Sequence, residues 1–157
     1  MISLRPLFLA FVLTLGCLTT VSAKTKIFPG PYSAEIYYIT DGDTFFARVA
    51  LWPGLSTDVS VRIRGIDTPE SWRPKCKSEK AAGKAATVFL MQQFNSPHRG
   101  AVLGKAMAKV TLKNVALGKY SGRVLADVQH AGEDIAKLIL SEGHGRKYAG
   151  GKRQSWC

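Results

Sequence analysis

The chain has 157 residues, with 22 Lys and Arg against 11 Asp and Glu, for a formal net charge of +11. That length holds one domain with a real core and not two, and the cationic excess favours a polyanionic partner such as nucleic acid or an anionic surface. His98, His130 and His144 share no paired spacing, and there is no serine elbow, Walker loop or dinucleotide fingerprint, so zinc, serine-nucleophile and nucleotide-cofactor chemistry lack support.

Residues 1–23 read as a secretory signal: Arg5 supplies the positive start, residues 7–18 the apolar run, and Val21-Ser22-Ala23 a small-residue cleavage site. The run is too short to span a bilayer comfortably. A lipoprotein signal around Leu15-Gly16-Cys17 is the alternative, with Thr14 where such signals place a larger aliphatic residue. Cleavage after Ala23 leaves residues 24–157 as a single domain, secreted or periplasmic, and removing Arg5 lowers the charge from +11 by one to +10. Two cysteines then remain, Cys76 and Cys157, and an even pair in an exported protein suggests one disulfide contributing about 2–4 kcal/mol. Two free thiols in a reducing compartment are the alternative.

Residues 33–40 and 44–51 are rich in Ile, Tyr, Phe and Val and are separated by Asp41-Gly42-Asp43, which predicts a hairpin. Trp52-Pro53-Gly54-Leu55 ends the second strand, and residues 56–66 make a third, giving a three-stranded meander. Pairing the second and third strands about Leu55 sets Asp43 opposite Asp67, bringing two carboxylates to one sheet end, and sets Arg48 opposite Arg62. That second pairing is comfortable only if Gly65 marks a bulge or both arginines meet phosphate. Alternation in Val61-Arg62-Ile63-Arg64 turns the aliphatic side chains inward and the arginines outward.

The stretch Arg62-Ile63-Arg64-Gly65-Ile66-Asp67-Thr68-Pro69-Glu70 gathers the chemistry. Pro69 disfavours helical geometry at Thr68 and leaves the Thr68 carbonyl free beside a carboxylate. Asp43, Asp67 and that carbonyl make three oxygen ligands, suited to an open site for calcium, with magnesium a close second. Arg62 can hold a phosphate as it gains negative charge, Glu70 can orient or deprotonate a water, and Arg123 can approach from the other side. Taken singly, each is also readable as an ordinary turn, strand or loop residue.

Residues 78–94 form an Ala-rich helix with Ala81, Ala85, Val88 and Phe89 close to one face, ended by Pro97. Residues 105–112 and 122–129 read as two more strands, and residues 134–141 as a short helix begun by Gly132 or the acidic pair after it and stopped at Gly143. The basic, Gly-rich tail carries Arg146, Lys147, Lys152 and Arg153, readable as substrate-steering cations or as a solvated terminus. The sum is an α+β chain, mainly β: a five-stranded oligonucleotide-binding (OB-fold) barrel with a helix after its third strand and a short C-terminal helix. An open antiparallel sheet with helices on one side is the alternative.

Asp41-Gly42-Asp43-Thr44, residues 62–70 and Gly122-Arg123 resemble the motifs of the staphylococcal-nuclease (thermonuclease) family, and the resemblance covers residues 33–141 in element order. It implies a monomeric SNase-like barrel that hydrolyses DNA and RNA phosphodiesters with one calcium ion, has low sequence preference and leaves 3'-phosphates. By position, Asp43 and Asp67 resemble the family's calcium carboxylates, Thr68 its carbonyl ligand, and Arg62, Glu70 and Arg123 its catalytic trio. The loop usually reading Asp-Lys-Tyr-Gly-Arg is Gly118-Lys119-Tyr120-Ser121-Gly122-Arg123 here, which leaves the role of Tyr120 open. The ending Gly150-Gly151-Lys152-Arg153-Gln154-Ser155-Trp156-Cys157 looks similar to that of exported bacterial members. A competing reading is a module that grips single strands through Tyr37, Tyr38, Phe45 and the tail without cutting.

Overall fold

The computed structural model describes residues 25–96 and 108–157. The expected signal segment with Cys17 and its cleavage site at Ala23, the helix stop at Pro97, His98, and the expected start of the fourth strand at Lys105 lie outside the described residues. In chain order the elements are β1 (Ile27–Phe28), β2 (Tyr32–Asp41), β3 (Thr44–Trp52), β4 (Leu55–Ile63), β5 (Ile66–Asp67), α1 (Lys77–Phe94), β6 (Ala108–Leu117), β7 (Arg123–His130), β8 (Glu133–Asp134), α2 (Ile135–Ser141) and β9 (Arg146–Lys147).

Strands β2, β3, β4, β7 and β6 pair in that order, and β6 returns to pair with β2, so the sheet closes into a five-stranded barrel. The β4–β7 pairing is parallel and the other four are antiparallel. Closure removes the open-sheet alternative and leaves the expected OB-fold-like α+β architecture. Alternation, with an irregularity between Ile36 and Tyr38 that turns both Ile36 and Ile39 inward, fills the barrel with these two and Phe45, Val61, Ile63 and Leu112, all buried. Helix α1 plugs one end: its Phe94 meets Phe45 edge to face, with ring centroids 5.6 Å apart.

Three expectations need correction. The β3–β4 hairpin turns at Pro53-Gly54, with Trp52 opposite Leu55, so Thr44 faces Arg62 and Arg48 faces Asp58. A two-residue turn, not a fold about Leu55, sets the register. The third strand ends at Ile63; Gly65, at a φ of +82° that favours glycine, turns the chain into β5, which pairs with β9. Helix α1 buries Gly83, Ala86, Thr87, Leu90 and Phe94, whereas Ala81, Ala85 and Val88 are exposed. Small residues face inward there because the chain after β5 passes directly beneath the helix. The start of α2 falls at the acidic pair, one of its two expected positions: Asp134 is the cap, its side chain accepting from the Lys137 amide at 3.1 Å.

Cys76 and Cys157 form a disulfide. Such a bridge persists in oxidising compartments, which is compatible with an extracellular location. Among the described residues no helix is long and apolar enough to cross a membrane.

Candidate active site: a buried carboxylate pair under arginines

Backbone approach at two glycines builds the site. A Cβ on Gly42 would lie 2.6 Å from the Ala86 Cβ, so the Asp41-Gly42-Asp43 turn can rest against α1 only without a side chain there. A Cβ on Gly83 would lie 2.6 Å from the Glu70 carbonyl, so α1 presses equally closely on the segment carrying Thr68 and Glu70. The helix thus clamps the β2–β3 turn and the chain leaving β5 against one barrel end.

Asp43, Asp67 and Thr68 are all buried there, Asp67 at 0 % exposure. Asp43 Oδ1 accepts from Thr44 Oγ1 and from Arg62 Nη1, each at 2.8 Å, and its Oδ2 accepts from the Thr68 amide at 3.2 Å. The other arm of the same guanidinium, Arg62 Nη2, lies 3.5 Å from Asp67 Oδ1. The two carboxylates therefore converge within reach of a single cationic group. They do so by a different route from the one the sequence suggested: the Asp43 carbonyl accepts from the Ile63 amide at 2.8 Å, and the turn at Gly65 then brings Asp67 back toward Asp43.

Asp67 is further engaged by the C-terminal segment. Its Oδ2 accepts from Arg146 Nη2 at 3.3 Å and from Trp156 Nε1 at 3.0 Å, and its Oδ1 from Arg153 Nε. Arg153 also donates through Nη1 to Glu70 Oε1, and Arg146 lies over the Trp156 ring, 3.9 Å from its centre. Three carboxylates, Asp43, Asp67 and Glu70, thus meet three guanidiniums, those of Arg62, Arg146 and Arg153. Burial pushes the Arg153 pKa down, but the hydrogen bond to Glu70 and the charge of Asp67 outweigh it and hold the group above its usual range. Buried carboxylates demand such partners, because an unpaired charge out of water costs several kcal/mol.

Arg123 stands apart from this cluster. It begins β7 opposite Ser60 of β4, on the same outward face as Arg62, and its guanidinium lies over the Tyr120 ring, 5.3 Å from its centre. Of the residues expected from sequence, Asp43, Asp67, Thr68, Arg62 and Glu70 come together at one barrel end, and Arg123 flanks them across the β4–β7 pairing.

Sequence reasoning missed Arg146, Arg153 and Trp156, reading the two arginines as steering groups or solvated charges. The one available signal was Cys157: a bridge to Cys76 obliges the last residues to lie beside the segment that follows Asp67. Cys76, Glu79 and Cys157 also bring ligand atoms within 4.8 Å of one another, but both sulfurs are committed to the disulfide, so the group offers no thiolate to a metal. An apolar cavity of about 220 Å³ opens at the far end of the barrel between Phe28, Val49, Leu51, Val59 and Leu112; neither carboxylate nor cation lines it.

No family model matches the chain, and no curated protein matches it.

Proposed function

We propose that the chain is an exported, calcium-dependent phosphodiesterase of the staphylococcal-nuclease type, hydrolysing DNA and RNA with little sequence preference and leaving 3'-phosphates. The observation that carries this reading is the buried pair Asp43 and Asp67, drawn from separate hairpin ends onto one guanidinium, with Glu70 beside it. The donor set of two carboxylates and the Thr68 carbonyl is all oxygen and fits a hard divalent cation, calcium before magnesium. Bound there, such a cation would polarise a phosphoryl oxygen and lower the pKa of a neighbouring water.

The chain's own groups account for the rest of the reaction. Glu70 orients the attacking water and accepts its proton as the new oxygen–phosphorus bond forms. Arg62 and Arg123, facing outward from adjacent strands, donate to the non-bridging oxygens as negative charge grows on them. The bond to the 5'-oxygen breaks, and that oxygen leaves as a hydroxyl after taking a proton from solvent. Low sequence preference follows from contacts that read the backbone and not base edges.

A second reading, a module that binds single strands without cutting, is favoured by the outer face of β2 and β3. Tyr38 stacks on Phe46 with centroids 5.1 Å apart, and Tyr37 lies 6.3 Å from the same ring. Phe45, assigned to that face from sequence, is in the core instead, and Phe46 takes its place. Incubating plasmid with purified protein in calcium and in chelator separates the readings. Cleavage in calcium that stops with chelator is expected; intact DNA in both, with retained binding, would move the assignment to the binding module.

A further inference from the structure

We infer that the C-terminal segment is a tethered plug that competes with a divalent cation for Asp67, so that cation binding and tail docking exclude one another. The inference rests on the cation-site reading above and concerns the regulation of that site. An ionised carboxylate offers about four lone-pair positions, and the two oxygens of Asp67 already meet Arg62, Arg153, Arg146 and Trp156. A cation ligated by Asp67 must displace at least one of them.

Charge identifies which. Arg62 projects outward from β4, a strand of the barrel itself, and is also held by Asp43. Arg153 belongs to the terminal segment and spans Asp67 and Glu70 together. With three guanidiniums balancing three carboxylates, adding a divalent charge without releasing a tail arginine would leave an excess positive charge around the two buried aspartates. Docked, Arg153 therefore covers a metal ligand and the proposed proton acceptor at the same time.

The segment is built to be displaced. Beyond β9 it has no helix or strand, and Gly150 and Gly151 both hold positive φ, at 104° and 85°. Its attachments are polar: Arg146 Nη1 donates to the Ser155 carbonyl at 3.0 Å, the Tyr148 amide donates to the Gly65 carbonyl at 2.9 Å, and the arginine and Trp156 contacts reach Asp67. The covalent hold is Cys76–Cys157, which anchors the last residue beside the start of α1. That tether makes docking intramolecular and so raises the effective concentration of Arg153 at the carboxylates. Reduction by a dithiol, which is oxidised to its own disulfide while Cys76 and Cys157 each gain a proton, frees the end and weakens the competition.

The test is calorimetric titration of calcium chloride into the full chain in four forms: oxidised, reduced, Arg153→Gln and Cys157→Ser. If the docked tail leaves one molecule in ten competent, removing it tightens apparent affinity about tenfold, and the three altered forms should show that gain. Tryptophan emission gives a second readout. Trp52 and Trp72 are exposed, so a red shift on calcium addition would report release of half-buried Trp156, and it should vanish in Trp156→Phe. Circular dichroism identifies any form that fails to fold, and the remaining forms then carry the comparison. Equal affinities in all folded forms with unchanged emission would overturn the plug while leaving the cation site intact. Failure of every form to bind calcium would overturn both.

Discussion

The β3–β4 hairpin carries two arginine–aspartate pairs of equal closest distance and opposite setting. Toward its tip Arg48 grips Asp58 through two hydrogen bonds of 2.8 and 2.9 Å, with side chains 49 % and 39 % exposed. At its base Arg62 grips Asp43 at 2.8 Å, with side chains 17 % and 2 % exposed. In water the first pair is complete in itself, and such pairs add little to stability. Out of water the second is not complete: Asp67 lies alongside, and Glu70, Arg146 and Arg153 are drawn in until the charges balance. An isolated exposed pair fastens two strands, whereas six charges assembled from four parts of the chain around two buried carboxylates are costly unless they do something else.

The sharpest way to break that contrast is to remove an arginine beside the site that the cluster does not use. Arg123 packs over Tyr120 and reaches no carboxylate among the described residues, so Arg123→Ala should leave the thermal midpoint close to that of the parent. Turnover on plasmid in calcium should nevertheless fall by about 10³-fold, the scale of losing one transition-state donor. Near-normal activity would take Arg123 out of the proposed machinery.

Next in size is Asp67→Asn, which keeps the shape of the side chain and deletes the charge that Arg62, Arg146 and Arg153 share. Breaking a buried pair costs about 3–5 kcal/mol, and the low end applies because the tail arginines can turn to water. Urea unfolding without added cation should therefore show a loss of about 3 kcal/mol, while Asp58→Asn under the same conditions changes little. Comparable effects at the two positions would mean that burial does not distinguish them.

How much of this contrast the sequence carried depended on the range of the signal. Inward Val61 and Ile63 with outward Arg62 were legible, because strand alternation is local and the hairpin slipped by an even number of residues, which preserves faces. The partners across the hairpin were not legible: Arg48 opposite Asp58 depends on whether the turn is counted from Leu55 or made at Pro53-Gly54. Helix α1 was legible in extent and missed in face, since Ala is compatible with either side and the buried stripe is set by what passes under Gly83. Asp43 and Asp67 could be paired from hairpin logic, although the turn at Gly65 brought them together differently. The contacts of Arg153 and Trp156 with Asp67 cross most of the chain and follow no period, and only Cys157 hinted at them.

The smallest expected effect lies at the exposed pair and is defined by its pH dependence. The hydrogen bond from Arg48 holds the Asp58 carboxyl below its usual range, against a small opposing effect of burial. A carboxylate depressed in the folded state contributes stability that is present above its unfolded pKa, about 4, and is lost as pH falls through the lower folded value. Arg48→Ala should therefore leave turnover unchanged and lower the unfolding midpoint slightly at pH 6. Between about pH 4 and the lower folded value that difference should shrink, vanishing once Asp58 is protonated in both forms. Salt should erode it as well, because both side chains are open to solvent. A difference that grew on acidification, or that carried a loss of turnover with it, would show that the tip and the base of the hairpin are coupled and that the exposed pair belongs to the site after all.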